Sequence, residues 1–433
     1  MTAPASRPRV AVVGSGASGL TAALGLQDDC EVILYESGPR LGGHILPAAV
    51  ERTDGGTAHV DTAFVVFVPE TYPTFTKLLG ALAIEHARAR TQFRVDDELH
   101  EVAFEPAQLL SLCGKKIPKA CRGDLLRVHK LLTTIRKEGM QTVPNVPLQT
   151  WAQDAGFQRE TLELGIVPWV ASFWGLQPRT VLTVSAPVAL REMARNAGPL
   201  RMHRVVPSTQ VYKEAFLAAV GRAEIRREHV ERIELESRPV VHTDAGAESF
   251  DRVVCATSAE VARTFFGDAR EIQSALAPFN YESSVAVLHT DPRDLPPARE
   301  DWRTFHHRRR QEGEHTHAVT TWVMDLLHEW EESALDIDTP TLLSTGDPTL
   351  VDRIDAAKTR EVFEHRHLVM TPQVVDAVPG LHRMFADGAI ALTGAYASVG
   401  ALHEDAIVSG ARAAALVRES LGLAAPAWPW AGA

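Results

Sequence analysis

The sequence predicts an α/β fold in which one domain has a parallel sheet flanked by helices and a second domain is α+β. Three observations predict it. A buried strand near the N-terminus runs into a glycine-rich turn and a helix, a second strand ends in an acid, and later strand patterns enclose a long helical stretch. With 433 residues, the chain is long enough for two or three domains.

The first element is a β-branched run at residues 10–13, which is typical of a buried parallel strand. It leads directly into Gly14, Gly16 and Gly19 in the pattern G-x-G-x-x-G. The first glycine permits a tight turn, the second lets the backbone approach a pyrophosphate, and the third lets the following helix pack closely. That helix is predicted to begin near Ala17, so its N–H groups would point at the phosphates. Together these features predict a Rossmann-like dinucleotide site.

The second strand, at residues 31–35, ends in Glu36, which is placed to bind a ribose hydroxyl and disfavours a 2′-phosphate. The chain continues SGPRLGGH through residues 37–44, an extension that nicotinamide-dependent dehydrogenases do not carry. This segment resembles the E-x-x-x-R-x-G-G-R signature of the flavoprotein superfamily that includes monoamine oxidase and other flavin-containing amine oxidases, phytoene desaturase and protoporphyrinogen oxidase. The resemblance implies FAD as the cofactor and disfavours an NAD-dependent dehydrogenase.

The resemblance extends over nearly the full length and is strongest to a bacterial group of amine-oxidase-like NAD/FAD-binding proteins. It implies that Val230 offers backbone groups to the adenine. It also implies that the closing helix, which is predicted to begin near Glu404, brings its N-terminus to the flavin, where it would stabilise the anionic reduced ring. The residues implied to contact FAD are Gly14, Ser15, Gly16, Ala17, Ser18, Gly19, Glu36, Ser37, Arg40, Leu41, Gly42, Gly43, His44, Thr62, Ala63, Phe64, Val230, Gly394, Ala395, His403, Glu404 and Asp405.

The sequence departs from the superfamily pattern around the reactive half of the cofactor. Ala63 replaces the glycine of a V-D-T-G-F segment, and Ser208 with Thr209 replaces a Gly-Gly-Ser turn, which predicts a rebuilt loop. In the amine oxidases an aromatic cage orients the amine, and one cage residue precedes the closing helix, where this chain has Ala401 and Leu402. The amine-specific interpretation is therefore disfavoured.

The remaining elements predict a discontinuous architecture. Residues 57–68 are predicted to form a strand, Pro73 to begin a helix, and 105–200 to form a helical insertion. Further predicted elements are a helix at 212–220, strands at 230–235, 240–243 and 252–256, an antiparallel sheet at 284–346 interrupted by a polar connection at 292–316, and a closing helix from near Glu404. The predicted FAD-binding domain comprises 1–75, 205–270 and 385–425, with a β-meander beside its parallel sheet; the substrate domain comprises 76–204 and 271–384, and 426–433 is a loosely ordered tail.

Candidate residues on the substrate side follow from the segments that the resemblance places in or beside the substrate domain. They are His365, His289, Tyr281, Trp174, Trp322 and Tyr396. Because FAD carries the redox step, neither a catalytic triad nor a metal is required. An H-x-H pair at His315 and His317 would place both rings on one strand face, but its polar, arginine-rich surroundings argue against a metal site.

Composition limits the classes of partner and compartment. With 44 Lys and Arg against 55 Asp and Glu, the net charge of −11 argues against a nucleic-acid surface. The four cysteines form no C-x-x-C pair, which fits a reduced, cytoplasmic protein. The sequence contains no run of about 18 apolar residues, so no membrane span is predicted. The first apolar segment contains the glycine motif, so it is not interpreted as a signal peptide.

The leading hypothesis is an FAD-dependent oxidoreductase that removes a hydride from a small or lipophilic substrate. It would form a C=N or C=C bond, with oxygen or another acceptor reoxidising the flavin. Two alternatives stay open: an FAD-dependent double-bond isomerase or saturase without net oxidation, and a non-enzymatic binding protein on the same fold. The sequence does not specify the substrate, the electron acceptor, covalent flavin attachment or the oligomeric state.

Overall fold

The computed structural model describes residues 7–51, 55–99, 102–104, 119–139, 143–196, 202–267, 269–312, 315–329, 340–384 and 389–430. Its strands are β1 Arg9–Val13, β2 Glu31–Tyr35, β3 Pro47–Glu51, β4 Thr57–Asp61, β5 His86–Arg88, β6 Phe93–Asp97, β7 Val102–Phe104, β8 His203–Val205, β9 Glu224–Arg226, β10 Val230–Glu234, β11 Val240–Thr243, β12 Gly246–Ser249, β13 Arg252–Cys255, β14 Tyr281–His289, β15 Phe305–Glu312, β16 His315–Val323, β17 Leu342–Gly346, β18 Thr359–Leu368 and β19 Ile390–Leu392. Its helices are α1 Ala17–Leu26, α2 Pro73–Ala81, α3 Lys119–Glu138, α4 Leu148–Asp154, α5 Arg159–Thr161, α6 Val167–Trp174, α7 Pro178–Val181, α8 Ala186–Asn196, α9 Thr209–Ala219, α10 Ala259–Phe265, α11 Arg270–Leu276, α12 Met324–His328, α13 Leu350–Arg353, α14 Pro372–Met384 and α15 His403–Ser420.

A five-stranded parallel sheet contains the two strands beside the glycine-rich turn, in the order β19-β13-β1-β2-β9. Its central strand β1 is apolar and almost entirely buried, as a parallel strand covered on both faces must be. Strands β10, β11 and β12 form an antiparallel meander. The predicted α/β fold with a Rossmann-like parallel sheet and a β-meander is confirmed, and its strands come from widely separated parts of the chain.

Helix α1 begins at Ala17, as predicted, and packs against the closing helix α15. The two backbones approach closely at Gly410, where a Cβ atom would lie 2.3 Å from the carbonyl oxygen of Ser18. Glycine at this position is therefore a packing requirement rather than a conformational one.

The last described residues differ from the predicted loose tail. The rings of Trp428 and Trp430 stack with centroids 4.7 Å apart, and Trp430 is buried against the nucleotide-binding core. Trp428 also covers Gly25 of α1, where a Cβ would lie 2.6 Å from the indole. The apolar area of two indoles outweighs the entropy of ordering this short segment.

The second sheet has seven strands in the order β18-β14-β17-β16-β15-β6-β7 and is antiparallel except for the β15–β6 pair. Strand β15 lies inside the segment predicted as a polar connection, and that prediction is wrong. The polar side chains of β15 resemble those of a surface loop, but they find hydrogen-bond partners inside the folded protein. Arg309 donates to Asp97 at 2.6 Å and to Glu163 at 3.1 Å.

The predicted strand at residues 57–68 is too long, because β4 ends at Asp61. Beyond it the backbone leaves strand pairing: the Thr62 hydroxyl donates to the Leu46 carbonyl and the Phe64 N–H donates to the His44 carbonyl at 3.2 Å. The segment therefore turns along the glycine loop that precedes His44.

Helices α3 to α8 lie between β7 and β8, which confirms the predicted helical insertion over its described part. The beginning of the predicted insertion, residues 105–118, lies outside the described residues. Within the described segments, none of the helices combines the length and hydrophobicity that crossing a membrane requires.

Candidate functional site

The glycine turn leaves open space in front of helix α1. Gly14 has φ +104°, and a Cβ there would lie 2.8 Å from the Ala256 carbonyl oxygen, while a Cβ on Gly19 would lie 1.9 Å from the Gly14 carbonyl oxygen. A Cβ on Gly16, in contrast, would meet no described atom within 4 Å. The fold itself requires the first and third glycines, and the second borders a space that a ligand can enter.

The donors of the first turn of α1 point into that space. Among the described residues no side chain caps the helix, and its first turn contains no acid. The Gly42–Gly43 loop closes over the same point, since Gly42 pairs with Gly16 and a Cβ on Gly43 would lie 3.0 Å from the Gly16 Cα. Uncapped N–H groups beside a backbone without side chains fit the pyrophosphate of FAD.

Glu36 stands at the carboxyl end of β2 beside this turn. Its carboxylate accepts hydrogen bonds from the Ser15 N–H at 3.1 Å, the Ser15 hydroxyl at 2.5 Å and the Gly38 N–H at 2.7 Å. Three donors hold the carboxylate in one orientation. This placement supports the predicted ribose contact, which stays a prediction.

Two cations stand near the Gly42–Gly43 loop. Arg40 pairs with Glu361 of β18 at 2.5 Å, so it connects the loop to the seven-stranded sheet. We call this the substrate sheet, because its strands fall within the segments predicted as the substrate domain. Lys213 of α9 passes Gly42, whose Cβ would lie 3.2 Å from the lysine Cδ, and burial with the nearby Arg40 lowers the pKa of Lys213. Sequence reasoning did not place Lys213 beside this loop.

Three aromatic groups meet where the glycine loop, the segment after β4 and the closing helix converge. The Phe64 and His403 rings stack with centroids 4.0 Å apart and planes 15° from parallel. The His403 Nε2 lies 3.1 Å from the Tyr212 hydroxyl, and burial lowers the pKa of His403 to about 3. His403 is therefore neutral at physiological pH.

The two acids that open α15 are committed to the fold. Glu404 accepts from the N–H groups of Thr74 at 2.9 Å and Phe75 at 2.8 Å, so it caps α2. Asp405 accepts from the Leu402 N–H at 3.0 Å, and burial raises the pKa of Asp405 to about 6. Only the backbone of this helix end is left to meet a cofactor.

The other predicted cofactor contacts lie near this site or the parallel sheet. Ala63 follows the anchored Thr62, and the Gly394 N–H donates to the Ser409 hydroxyl at 3.1 Å just after β19. Val230 is buried at the start of β10. Their contacts with FAD, and those of Ser37, Leu41 and Ala395, stay predictions.

The rebuilt loop has a clear structural role. Ser208 caps α9 by accepting from the Gln210 N–H at 3.3 Å. Thr209 donates its N–H and its hydroxyl to Asp61 Oδ1 at 2.8 and 2.6 Å, while Asp61 Oδ2 has no partner within the described segments. The loop thus ties α9 to the end of β4, and burial raises the pKa of Asp61 to about 7.

We expect Asp61→Asn to weaken the pH dependence of stability. Because the folded protein holds this proton between its usual pKa of 3.8 and about 7, while the unfolded chain releases it, stability falls as pH rises through that window. The contribution is at most roughly 4 kcal/mol. Urea unfolding at pH 5 and pH 8 measures it, with the exposed Asp154→Asn as control. Equal pH dependence in wild type and Asp61→Asn would contradict the assignment.

Three histidines stand together between the glycine loop and the substrate sheet, and we call His44, His365 and His367 the imidazole cluster. Ring centroids are 5.4 Å apart for His44 and His365, 6.2 Å for His44 and His367, and 5.8 Å for His365 and His367. Burial lowers the pKa of His365 to about 4 and of His367 to about 3, and it also lowers the pKa of His44. The cluster is neutral at pH 7.

The His44 side chain is exposed, and desolvation by the surrounding protein lowers its pKa. The helical insertion reaches the same place: Trp174 of α6 donates from its indole to the Gly400 carbonyl at 2.9 Å, and a Cβ on Gly175 would lie 2.8 Å from the His367 Nε2. Four parts of the chain therefore meet at one place. They are the glycine loop that ends at His44 (the cofactor loop), the substrate sheet, the helical insertion, and the segment before α15 that contains Gly400 (the closing segment).

His289 and Trp322 lie elsewhere, within the substrate sheet. The His289 Nδ1 accepts from the Asp291 N–H at 3.0 Å, and its Nε2 lies 2.8 Å from the Ser344 hydroxyl. Because Nδ1 accepts, Nε2 carries the proton and donates to the serine. Trp322 packs on Phe305 with centroids 4.2 Å apart. The structure does not bring these two residues to the imidazole cluster.

Tyr281 and Tyr396 lie at the junction of the two sheets. The Tyr281 hydroxyl accepts from the Ala259 N–H at 3.0 Å, at the start of α10. Tyr396 is buried against Phe279, and its hydroxyl has no partner among the described residues. Burial raises the pKa of both tyrosines, so neither ionises near neutral pH.

Two further histidines precede the H-x-H pair in the same segment. His306 and His307 are buried in β15, and the His307 Nδ1 lies 3.1 Å from the Thr320 hydroxyl. In the part of the chain that the structure describes, no group of three or more His, Cys, Asp or Glu side chains could hold a metal ion.

Sequence reasoning missed His367, although the signal was present. His365 and His367 are two residues apart, so on a strand they share a face. The segment alternates exposed charged residues with histidines and contains few β-branched residues, which is why no strand is predicted there.

Comparison with known proteins agrees with this geometry. The sequence matches the family described as flavin containing amine oxidoreductase over residues 17–333. No curated protein matches it.

Several solved structures share the fold. A protein assigned as a protoporphyrinogen oxidase from Exiguobacterium sp. 255-15 aligns over 94% of this chain and 97% of its own, with TM-score 0.69 and 17% identity. Cyclohexylamine oxidase from Brevibacterium oxydans IH-35A aligns over 96% and 100%, with TM-score 0.65 and 16% identity. Putrescine oxidase bound to putrescine aligns over 94% and 98%, with TM-score 0.62 and 15% identity. At these identities the similarity establishes the fold.

Proposed function

This chain belongs to the flavin containing amine oxidoreductase family, and from that premise we propose that it removes a hydride from a carbon–hydrogen bond of a largely apolar organic substrate. The protein is an FAD-dependent oxidoreductase, and FAD, when bound, supplies the hydride acceptor. The product carries a new C=C or C=N bond, and oxygen or another acceptor takes the electrons afterwards.

The chain's own residues hold the cofactor and shape the space beside it. We propose that the Gly14–Gly19 turn and α1 bind the pyrophosphate, that Glu36 binds the ribose, and that Gly42 and Gly43 let the cofactor pass without a side-chain clash. The first turn of α15 offers backbone donors to the ring. The same residues belong to the three segments that we propose as one FAD-binding domain.

The observation that carries this proposal is the convergence of cofactor loop, substrate sheet and helical insertion at His44, His367 and Trp174. The closing segment adds Ala401 and Leu402, which are half-buried and pack on the core that Trp174 belongs to. An apolar wall excludes water and orients an apolar substrate. Leu402 supplies no aromatic surface for an amine cage, so we favour C=C formation over C=N.

Anaerobic flavin spectroscopy tests the proposal. We expect purified protein to be yellow and its flavin absorbance to bleach on mixing with one panel among unsaturated lipids, other apolar organic compounds, amines and amino acids. Readmitting air then tests oxygen as acceptor. Colourless protein that cannot be reconstituted with FAD would contradict the assignment, and turnover without net bleaching would favour the isomerase or saturase reaction instead.

A further inference from the structure

We propose that the imidazole cluster of His44, His365 and His367 binds the carboxylate of an organic acid, so that the substrate carries an acid group beside its apolar part. This inference rests on the proposed function, since it names the class of substrate that would bind at the same place, beside His44, His367 and Trp174.

The cluster is built for a ligand that the protein itself does not provide. His365 is only 7% exposed, and its Nε2 has no hydrogen-bond partner in the described part of the chain. A buried polar nitrogen without a partner is destabilising, because the hydrogen bonds that it made to water in the unfolded chain are not replaced. A ligand that hydrogen-bonds this nitrogen relieves that penalty, and the exposed His44 ring lies beside it, with its centroid 5.4 Å from that of His365.

The arrangement of the rings favours an anion over a metal ion. The His44 ring is tilted by 31° against that of His365 and stacked at 29° on that of His367. Within the described residues these side chains do not form a group that could hold a metal ion. Each imidazole offers one N–H donor when neutral and two when protonated, whereas a carboxylate is an acceptor only. A carboxylate can therefore use donors from several rings at once.

Nearby carboxylates are already occupied, which disfavours an ammonium group. Glu282 lies opposite His367 on β14 and accepts from the Gln177 N–H at 2.8 Å and the Thr180 hydroxyl at 2.5 Å. Glu361 of β18 pairs with Arg40. A cation entering the cluster would meet imidazoles and no carboxylate prepared for it.

The remaining charges around the cluster leave its face neutral or positive. On β18, Glu364 and Arg366 alternate with the histidines and point to the opposite face, where Arg366 pairs with Glu260 at 2.6 Å. From α9 comes Lys213, and from α15 the neutral His403. On the neighbouring strand β14, Ser284 is paired with His365. Trp174 at the end of α6 and Gly175 directly after it also approach the cluster, and neither carries a charge.

Anion binding should consequently take up a proton. The neutral cluster gains charge only when an anion stabilises it, so the pKa of His365, whose unpartnered Nε2 would meet the anion, rises in the complex. Affinity for a carboxylate then increases as pH falls, by about tenfold per pH unit while the free cluster is neutral and the bound one protonated.

The test titrates the FAD-loaded protein with hexanoate and with hexylamine, a pair of equal chain length, following the flavin spectrum at pH 6 and pH 8. We expect hexanoate to shift the spectrum and to bind at least tenfold more tightly at pH 6, and hexylamine to leave it unchanged. His365→Gln keeps a hydrogen-bonding group but cannot be protonated, so we expect weaker binding without pH dependence. His129→Gln, on the exposed face of α3, is the matched control.

The outcomes separate this inference from the proposed function. It is overturned if hexanoate is silent at both pH values, if hexylamine binds in its place, or if His365→Gln binds hexanoate with unchanged pH dependence. It is also overturned if His365→Gln releases FAD, because the cluster would then serve the cofactor. Each of these results leaves bleaching of the flavin by a neutral substrate intact, whereas failure of the proposed function is the lack of bleaching by every panel.

Discussion

Gly16→Val should give a folded protein that no longer retains FAD, whereas Gly19→Ala should not fold stably. The valine side chain points into the open space before α1, where the pyrophosphate is proposed to lie, and no described atom stands within 4 Å of its Cβ. Steric conflict of this kind costs about 1–3 kcal/mol, or roughly ten- to a hundredfold in affinity. Thermal unfolding of the apoprotein and flavin content after gel filtration measure the two effects.

Gly19→Ala provides the contrast, since its Cβ would overlap the Gly14 carbonyl oxygen at 1.9 Å. Separating α1 from the turn costs more than about 3 kcal/mol, because backbone rather than a flexible side chain must move. A Gly16→Val protein that keeps its flavin would show that the turn is not where the cofactor binds. A Gly19→Ala protein as stable as wild type would show that α1 does not need to pack this closely on the turn.

The second large effect is expected at Gly410→Ala, which forces α15 away from α1. The added methyl would lie 2.3 Å from the Ser18 carbonyl oxygen and 2.9 Å from the Thr21 Cβ. Both helices flank the cofactor turn, so we expect a loss of about 1–3 kcal/mol in stability together with weaker FAD binding. Urea unfolding of the apoprotein and a flavin titration report these separately.

Gly80→Ala is the matched control. It adds the same methyl to an exposed position in helix α2, where no described atom lies within 4 Å of the new Cβ. Replacing glycine by alanine in a helix stabilises by about 0.4–1 kcal/mol through the unfolded chain. If both variants shifted stability in the same direction, the close helix crossing would not be limiting.

The nucleotide-binding half was predictable because its signals are local. The strand, turn and helix around Gly14 and Gly16 lie within a few residues of one another, and each glycine has a separate physical cause. The acid at Glu36 follows the next strand in the same unit. Local pattern and global fold agree here, which is the condition under which sequence reasoning succeeds.

The reactive half was less predictable because it is assembled from distant segments. His44 and His365 are more than three hundred residues apart in the chain, and neither carries a sign of the other. The two polar strands β15 and β18 follow no hydrophobic alternation, since Arg309 finds its partners Asp97 and Glu163 only in the folded state. Ion pairs between segments that are distant in the same chain leave no periodic signal in the sequence.

The parallel sheet also constrains the order of events during protein synthesis. Strand β1 sits in the middle of that sheet, yet its neighbour β13 and the helix that covers α1, α15, are made much later. Until residues 390–420 leave the ribosome, the glycine turn does not have both of these neighbours, so we expect FAD capture to be a late event.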